Sequence, residues 1–224
     1  MKRLRRILST ATLATLAVGV ASATPIIQTM SVATQTTPIS QDLFFNGFNT
    51  MGGTLTLTGV EITLATTATA EIDIINTLGT TQAFSSATAS IPVSASLVTT
   101  ATSTTAAETV TAGPIAGTLS TGVGPYAFPG NSATASFTDT VGSGLFSEFI
   151  GGTNAVEIGV VGNNGTYGGN ANSGVFFSGS AAANELVTVE YDYVVSTTPE
   201  PTTMLLFGSA LVGLGFMRKR SKQQ

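Results

Sequence analysis

The side chains of this sequence that could do chemistry are carboxylates. All of its twelve Asp and Glu residues except Glu200 lie between residues 7 and 198, a stretch that contains no Lys or Arg, and the chain has no His and no Cys. These absences exclude from that stretch a Ser-His-Asp triad, a Cys nucleophile, a Schiff-base Lys and a His- or Cys-ligated zinc. What remains is chemistry by carboxylates, by hydroxyls or by a hard metal ion. The carboxylates are Asp42, Glu61, Glu71, Asp73, Glu108, Asp139, Glu148, Glu157, Glu185, Glu190 and Asp192.

Two carboxylates can hydrolyse a glycosidic bond, but these are spread along the chain, and Trp, the usual sugar-stacking side chain, is absent. Glu71 with Asp73, and Glu190 with Asp192, each place two carboxylates on one face of a strand about 7 Å apart, where calcium could bind. No Asp-x-Asp-x-Asp-Gly loop accompanies either pair. We therefore expect solvated surface charge, no enzyme activity and no catalytic, cofactor-binding or metal-binding residues, with calcium binding at the acidic pairs as the less favoured alternative.

The elements that must position these side chains have a period of two. Apolar and polar residues alternate at 70–74, 156–160 and 187–195, which is typical of half-buried strands. Gly-rich turns separate the alternating segments, and none of them keeps a helical period for three turns. The sequence thus predicts one all-β domain over residues 24–198, an antiparallel β-sandwich of jelly-roll or Ig-like type.

Three local features refine this prediction. In residues 54–64 the apolar phase slips by one residue at Gly59, which predicts a β-bulge. Pro92 lacks the N–H that a ladder needs, so we expect its strand at a sheet edge. Residues 99–111 are mostly Ser, Thr and Ala, which indicates a mobile loop or a polar edge strand; the same composition would permit O-glycosylation.

The N-terminus has the pattern of an export signal. Basic residues between Lys2 and Arg6 precede an apolar stretch at 7–20, and Ala21 and Ala23 supply the small side chains that signal peptidase requires. Residues 1–23 are therefore predicted to be a cleaved signal peptide.

The C-terminus has a second apolar segment, at 202–217, between Pro199-Glu200-Pro201 and a basic cluster. As a helix it would be about 24 Å long, which is short against a hydrocarbon core of about 30 Å. The basic cluster, which resists translocation, predicts a membrane stop signal with the rest of the chain outside. Its residues are Arg218, Lys219, Arg220 and Lys222.

Together, Pro199-Glu200-Pro201, the short apolar segment and the basic end resemble the PEP-CTERM sorting signal over residues 199–224. That family consists of exported proteins of Gram-negative bacteria that make extracellular polysaccharide. The resemblance implies an exosortase-like membrane protease as a partner, processing at Pro199, Glu200 or Pro201, and export across the inner membrane. The chain would be held transiently by its C-terminal helix and then reach the cell surface or the medium.

A weaker resemblance covers the middle of the chain. Residues 43–49, 53–55 and 59–64, with Tyr191-Asp192-Tyr193, are similar to the choice-of-anchor domains, among them type E, that carry such tails. Those domains have no established activity, so the resemblance implies a class of protein and no specific function.

These observations predict a non-catalytic protein of the cell surface or extracellular matrix, with a structural or interaction role in an exopolysaccharide or biofilm layer. Acidic exopolysaccharide, bridged by divalent ions, is an expected partner, whereas nucleic acid is excluded because a domain without cations is repelled by phosphates. The alternative is a carbohydrate-binding module that uses aromatic side chains in or near Gly-rich loops. Those side chains, whose more favoured role is to cap the core, are Tyr126, Phe128, Tyr167, Phe176 and Phe177.

Overall fold

The structure is a computed structural model that describes residues 23–98, 105–122, 124–196 and 208–209. The described chain is built from β-strands joined by turns, with two short 3₁₀ segments at Met51–Gly53 and Ser143–Phe149. In chain order the strands are β1 Ile26–Thr36, β2 Ile39–Phe45, β3 Leu55–Asn76, β4 Gln82–Leu97, β5 Thr105–Leu119, β6 Tyr126–Thr140, β7 Val156–Gly162, β8 Thr166–Ala171 and β9 Val175–Val195.

The strands form two antiparallel sheets that pack face to face. Sheet A has the order β1-β9-β3-β6, and sheet B has the order β2-β7-β4-β5, with β8 also paired to β4. Thus β1 pairs with β9, β2 with β7, β3 with β6 and β4 with β5, which is the nested strand pairing of a jelly roll. The all-β antiparallel sandwich is confirmed, and the strand order favours the jelly-roll form over the Ig-like form.

The core lies between the two sheets and follows the predicted period of two. In β3 every second side chain from Val60 to Ile74 is buried, and β9 shows the same alternation from Ala181 to Tyr191. The side chains between them are half-buried or exposed on the outer face. Burial of the alternate Ile, Val and Leu side chains supplies the main stabilisation of such a sandwich, at roughly 25 cal/mol per Å² of apolar surface.

The predicted bulge at Gly59 is confirmed. In the pairing of β3 with β9, Leu57 lies opposite Tyr193 but Gly59 lies opposite Asp192, so Thr58 is the extra residue. A Cβ at Gly59 would lie 2.9 Å from Oδ2 of Asp192, so glycine allows the strands to approach here.

The predicted edge position of the Pro92 strand is wrong. Strand β4 has β5 on one side and both β7 and β8 on the other, so it lies inside sheet B. Pairing with β8 ends at Ser90 and pairing with β7 begins at Val93, and the Pro92 carbonyl accepts a 2.9 Å hydrogen bond from the N–H of Asn163. Because the N and C=O of one strand residue face the same neighbour, the missing N–H of proline falls at the gap between β7 and β8.

The Ser- and Thr-rich stretch is described in part. Residues 105–111 belong to β5, which is an edge strand of sheet B, as the polar-edge alternative predicted. Residues 99–104 lie outside the described residues.

Candidate functional site

Three polar side chains inside the sandwich, where apolar residues are the rule, have buried oxygens without a hydrogen-bond partner. Glu185 of β9 is 0% exposed, Thr66 of β3 is 1% exposed, and both carboxylate oxygens of Glu108 of β5 are buried. Within the described residues, no other buried side-chain oxygen or nitrogen lacks a hydrogen-bond partner. We call Thr66, Glu108 and Glu185 the inter-sheet cluster.

The strand registers explain how the inter-sheet cluster forms. Thr66 lies directly opposite Glu185 in the pairing of β3 with β9, and both side chains point into the sandwich. Glu108 lies opposite Val93, whose side chain faces the same interior from sheet B. Sheet A therefore contributes a hydroxyl and a carboxylate, and sheet B contributes the second carboxylate.

The electrostatics of the cluster are those of two acids in a poorly solvated site. Burial raises the pKa of Glu185 to about 7, and the charge of Glu108 adds to this rise. Burial also raises the pKa of Glu108, an effect that the approach of Thr66 partly offsets. That approach does not reach hydrogen-bonding geometry, because the Thr66 Oγ1 and both Glu108 oxygens have no partner. Both carboxyl groups are thus biased towards the neutral form.

The inter-sheet cluster departs from the expectation that the carboxylates are solvated surface charge. The sequence does contain a signal for Glu185, because counting back by two from Val189 and Val187 places it on the buried face of β9. For Glu108 the surrounding residues are too small and polar to mark the buried face clearly. The meeting of the two acids depends on sheet packing, which the local pattern does not contain.

The acidic pairs considered from the sequence lie elsewhere. Glu71 and Asp73 are half-buried on the outer face of β3, and Glu190 lies directly opposite Glu61 on the same outer face of sheet A. Asp192 is exposed, opposite Gly59. Among the described residues, no three Asp or Glu side chains are grouped closely enough to hold a metal ion by themselves.

The outer face of sheet A carries a shallow groove of about 500 Å³ lined mainly by small polar side chains. Thr67, Thr134, Ser136 and Asn184 contribute to its walls. Nearby hydroxyls are linked across strands, with Thr63 and Thr138 at 2.7 Å and Thr29 and Thr188 at 3.3 Å. This face offers hydroxyl and amide groups to a polymer, without an aromatic side chain in the groove.

Four of the five aromatic side chains considered for sugar stacking pack against the core instead: Tyr126, Phe128, Tyr167 and Phe177. Phe128 meets Phe84 edge to face at 5.2 Å, and the Tyr126 hydroxyl donates a 3.2 Å hydrogen bond to the Ser120 carbonyl. Phe176 is 59% exposed. The five residues therefore present one largely exposed ring.

The processing and stop-signal residues lie almost wholly outside the described residues. Ala23 is described and half-buried. The residues outside are Ala21, Pro199, Glu200, Pro201, Arg218, Lys219, Arg220 and Lys222. In the part of the chain that the structure describes, no helix has the length and apolar character needed to cross a membrane.

Comparison with known proteins identifies one segment. Residues 197–220 match the family model of the PEP-CTERM protein-sorting motif. Proteins with this motif are exosortase substrates, so the match supports export of this chain to the cell envelope or surface. No curated protein matches the chain. A solved structure, that of the infectious bursal disease virus Gx strain, aligns at 14% identity over 84% of this chain and 44% of the viral chain, with a TM-score of 0.17, too low to support any argument.

Proposed function

We propose that this chain is an exported, non-catalytic protein of the cell surface or extracellular matrix, with a structural or interaction role in an exopolysaccharide layer. The observation that carries the proposal is the match of residues 197–220 to the PEP-CTERM protein-sorting motif. In this proposal residues 1–23 are removed by signal peptidase. Residues 202–217 hold the chain in the membrane until an exosortase-like protease processes it near Pro199-Glu200-Pro201. The middle domain, a member of the choice-of-anchor class, is then released or transferred to the surface.

The non-catalytic part of the proposal is supported by the placement of the carboxylates. Glycoside hydrolysis needs two carboxyl groups that flank a sugar in an accessible site. The charge of Glu108 acts on Glu185, but the oxygens of both carboxyl groups are buried, and Glu185 has no exposed surface for a substrate to reach. Glu61 and Glu190 lie side by side on the outer face of sheet A, and so they do not stand on two sides of a sugar as glycoside hydrolysis requires.

The experiment that tests sorting is an intact mass measurement on the protein from its native host, with membrane, surface and medium fractions kept apart. We expect a mature chain that begins near Thr24 and ends near residues 199–201, in the surface or medium fraction. Replacing Pro199, Glu200 and Pro201 together with Ala should leave residues 218–224 attached and the chain in the membrane. The matched control replaces Thr202 and Thr203 with Ala and should be processed normally. A wild-type mass that still includes the basic end would refute release from the membrane.

The partner in this proposal is acidic exopolysaccharide held through divalent ions. The described domain is acidic and has no Lys or Arg, so bridging by a cation is the way that it could bind a polyanion. Sedimentation with an acidic polysaccharide should therefore depend on calcium or magnesium and disappear in chelator. Binding that persists after both ions are removed would contradict this bridge.

Carbohydrate binding is the alternative function, and the outer groove of sheet A is the observation that favours it. Its hydroxyl and amide side chains can exchange hydrogen bonds with a sugar, although Phe176 is the one largely exposed ring among the five aromatic candidates. A glycan array separates the two functions. A structural protein gives no selective hits, whereas selective hits lost in Thr67→Val or Phe176→Ala would support a sugar-binding module.

A further inference from the structure

The inter-sheet cluster is not used by the proposed function. Five oxygens are buried there without a hydrogen-bond partner: Oγ1 of Thr66 and both carboxylate oxygens of Glu108 and of Glu185. A buried polar group without a partner is costly, and a buried charge more so. Oxygens from both sheets converge on one place, which indicates that the site is completed by something other than protein.

The chain itself cannot supply a compensating charge from the domain. All Lys and Arg residues lie before Ile7 or after Met217, so the sequence between these positions has no cationic side chain. An ion pair with a basic residue of the domain is therefore excluded. The two carboxylates must be neutralised by protons or by a bound cation.

We propose that the inter-sheet cluster binds a divalent metal ion, with calcium as the ion that fits its donor set. Two carboxylates balance the charge of one such ion. They offer four oxygens, and the Thr66 hydroxyl offers a fifth, leaving one to three positions for water among the six to eight oxygen ligands that calcium takes. With no thiol or imidazole in the chain, the site lacks the ligands that favour zinc or copper.

The surroundings of the cluster are compatible with an inserted ion and its water. Each member of the cluster has a small inward-facing neighbour on its own strand: Ala68 on β3, Ala183 on β9 and Ala106 on β5, all 0% exposed. Ala68 and Ala183 are themselves cross-strand partners, next to the pair formed by Thr66 and Glu185. Magnesium suits the site less well, because it demands closer octahedral geometry and releases its own water reluctantly.

Binding of the ion should release protons at neutral pH. A carboxyl group must lose its proton before it can ligate a metal, and the pKa of Glu185 is raised to about 7 by burial and by Glu108. The heat of calcium binding should therefore change between two buffers of equal pH and different ionisation enthalpy. Calcium bound only by solvated surface carboxylates would release no protons at that pH.

The test is titration calorimetry of calcium chloride into the full-length chain, treated with chelator and then dialysed, in mild detergent at pH 7. We expect one ion per chain, with a dissociation constant on the order of 10⁻⁴ to 10⁻³ M, as in extracellular calcium modules. Calcium at about 100 times that constant should raise the melting temperature by about 5–10 °C. Magnesium should bind more weakly.

Variants identify the ligands. Glu185→Gln and Glu108→Gln should each weaken calcium binding more than tenfold, and Thr66→Val should weaken it several-fold. The proton release should fall most in Glu185→Gln, because burial raises the pKa of that carboxyl group to about 7. The matched control is Glu71→Gln, which changes an acid on the opposite face of β3 and should bind like the wild type.

Two outcomes would overturn the proposal. If wild-type calorimetry detects no saturable site and calcium does not shift the melting temperature, the cluster is neutralised by protons alone; this result does not depend on whether any variant folds. If binding survives in Glu185→Gln and Glu108→Gln but is lost in Glu61→Gln or Glu190→Gln, the ion binds on the outer face of sheet A. Neither result would bear on sorting by the C-terminal motif.

Discussion

The buried position of Glu185 predicts that, in the absence of divalent ions, the domain becomes less stable as pH rises towards neutrality. The pKa of Glu185 rises from 4.5 to about 7 on folding, because of burial first and Glu108 second. Between those values the folded chain holds more protons than the unfolded chain, so the free energy of unfolding falls with pH. Its contribution is fully present below pH 4.5 and is lost as pH rises through about 7.

The magnitude follows from the same values. A rise of about 2.5 in pKa corresponds to about 3 kcal/mol, at about 1.4 kcal/mol for each tenfold change in proton affinity. The pKa of Glu108 is also raised by its burial, so its contribution has the same sign. Among the groups that the structure describes, Glu108 is the charged group that acts on Glu185; the cross-strand partners of Glu185, Val32 and Thr66, are uncharged.

The assay is urea unfolding of the full-length chain in chelator, followed by far-ultraviolet circular dichroism between pH 4.5 and 8. Other carboxylates titrate over this range, so the quantity to compare is the difference between the wild type and Glu185→Gln. We expect similar stability at pH 4.5 and a variant more stable by up to about 3 kcal/mol at pH 8, because Gln stays neutral. Glu71→Gln, on the outer face of the same sheet, should follow the wild type. Parallel pH curves for the wild type and Glu185→Gln would refute the reasoning.

Three further predictions test the core, measured by the same unfolding assay at pH 5. Ile62→Ala, at a fully buried position of β3, should cost about 2–5 kcal/mol, and a cost below 1 kcal/mol would contradict the packing described. Tyr191→Phe removes the hydroxyl that donates a 3.0 Å hydrogen bond to the Asn46 carbonyl and should cost about 1 kcal/mol; no loss would mean that this bond does not form. Gly179→Ala should be strongly destabilising, because its Cβ would clash with the Glu71 carbonyl oxygen, and a tolerated alanine would show that β3 and β9 are farther apart.

The strands and their faces could be predicted because alternation is a local property. The buried residues of β3 and β9 repeat every second position, and the slip at Gly59 is visible in the order of the apolar residues alone. The bulge follows because a sheet with one buried face requires the phase to be restored. Both properties lie within a single strand and do not depend on its neighbours.

The position of β4 could not be predicted in the same way. Proline argues for an edge only if a continuous strand lies on the side where its N–H is missing. Here the neighbouring strand on that side changes from β8 to β7 at Pro92, and the Asn163 N–H donates a hydrogen bond to the Pro92 carbonyl. Which strands end beside Pro92 depends on pairing between residues more than 60 positions apart in the chain, and alternation within β4 carries no information about it.

The inter-sheet cluster could be predicted from the sequence only in part. The face of Glu185 was readable from Val187 and Val189, but its charge favoured a solvated position, and here the register of β9 prevails over that preference. Glu108 lies in a stretch of small and polar residues, so its inward direction emerges only from its pairing with Val93. The coupling of the two acids is a property of how the sheets pack, which one sequence does not specify.

Protons and calcium, the two ways of neutralising the inter-sheet cluster, have opposite pH dependences. Stability measured in chelator and stability measured in calcium should therefore change with pH in different ways. Protons stabilise the domain at low pH, whereas calcium competes with protons and stabilises it best above the pKa of Glu185, about 7. In chelator the stability should fall as pH rises, and in calcium this fall should be reduced or reversed. Glu185→Gln should lose both responses together. A variant that loses the pH response but keeps the calcium response would show that the ion binds elsewhere, while the pKa of Glu185 would still follow from its burial.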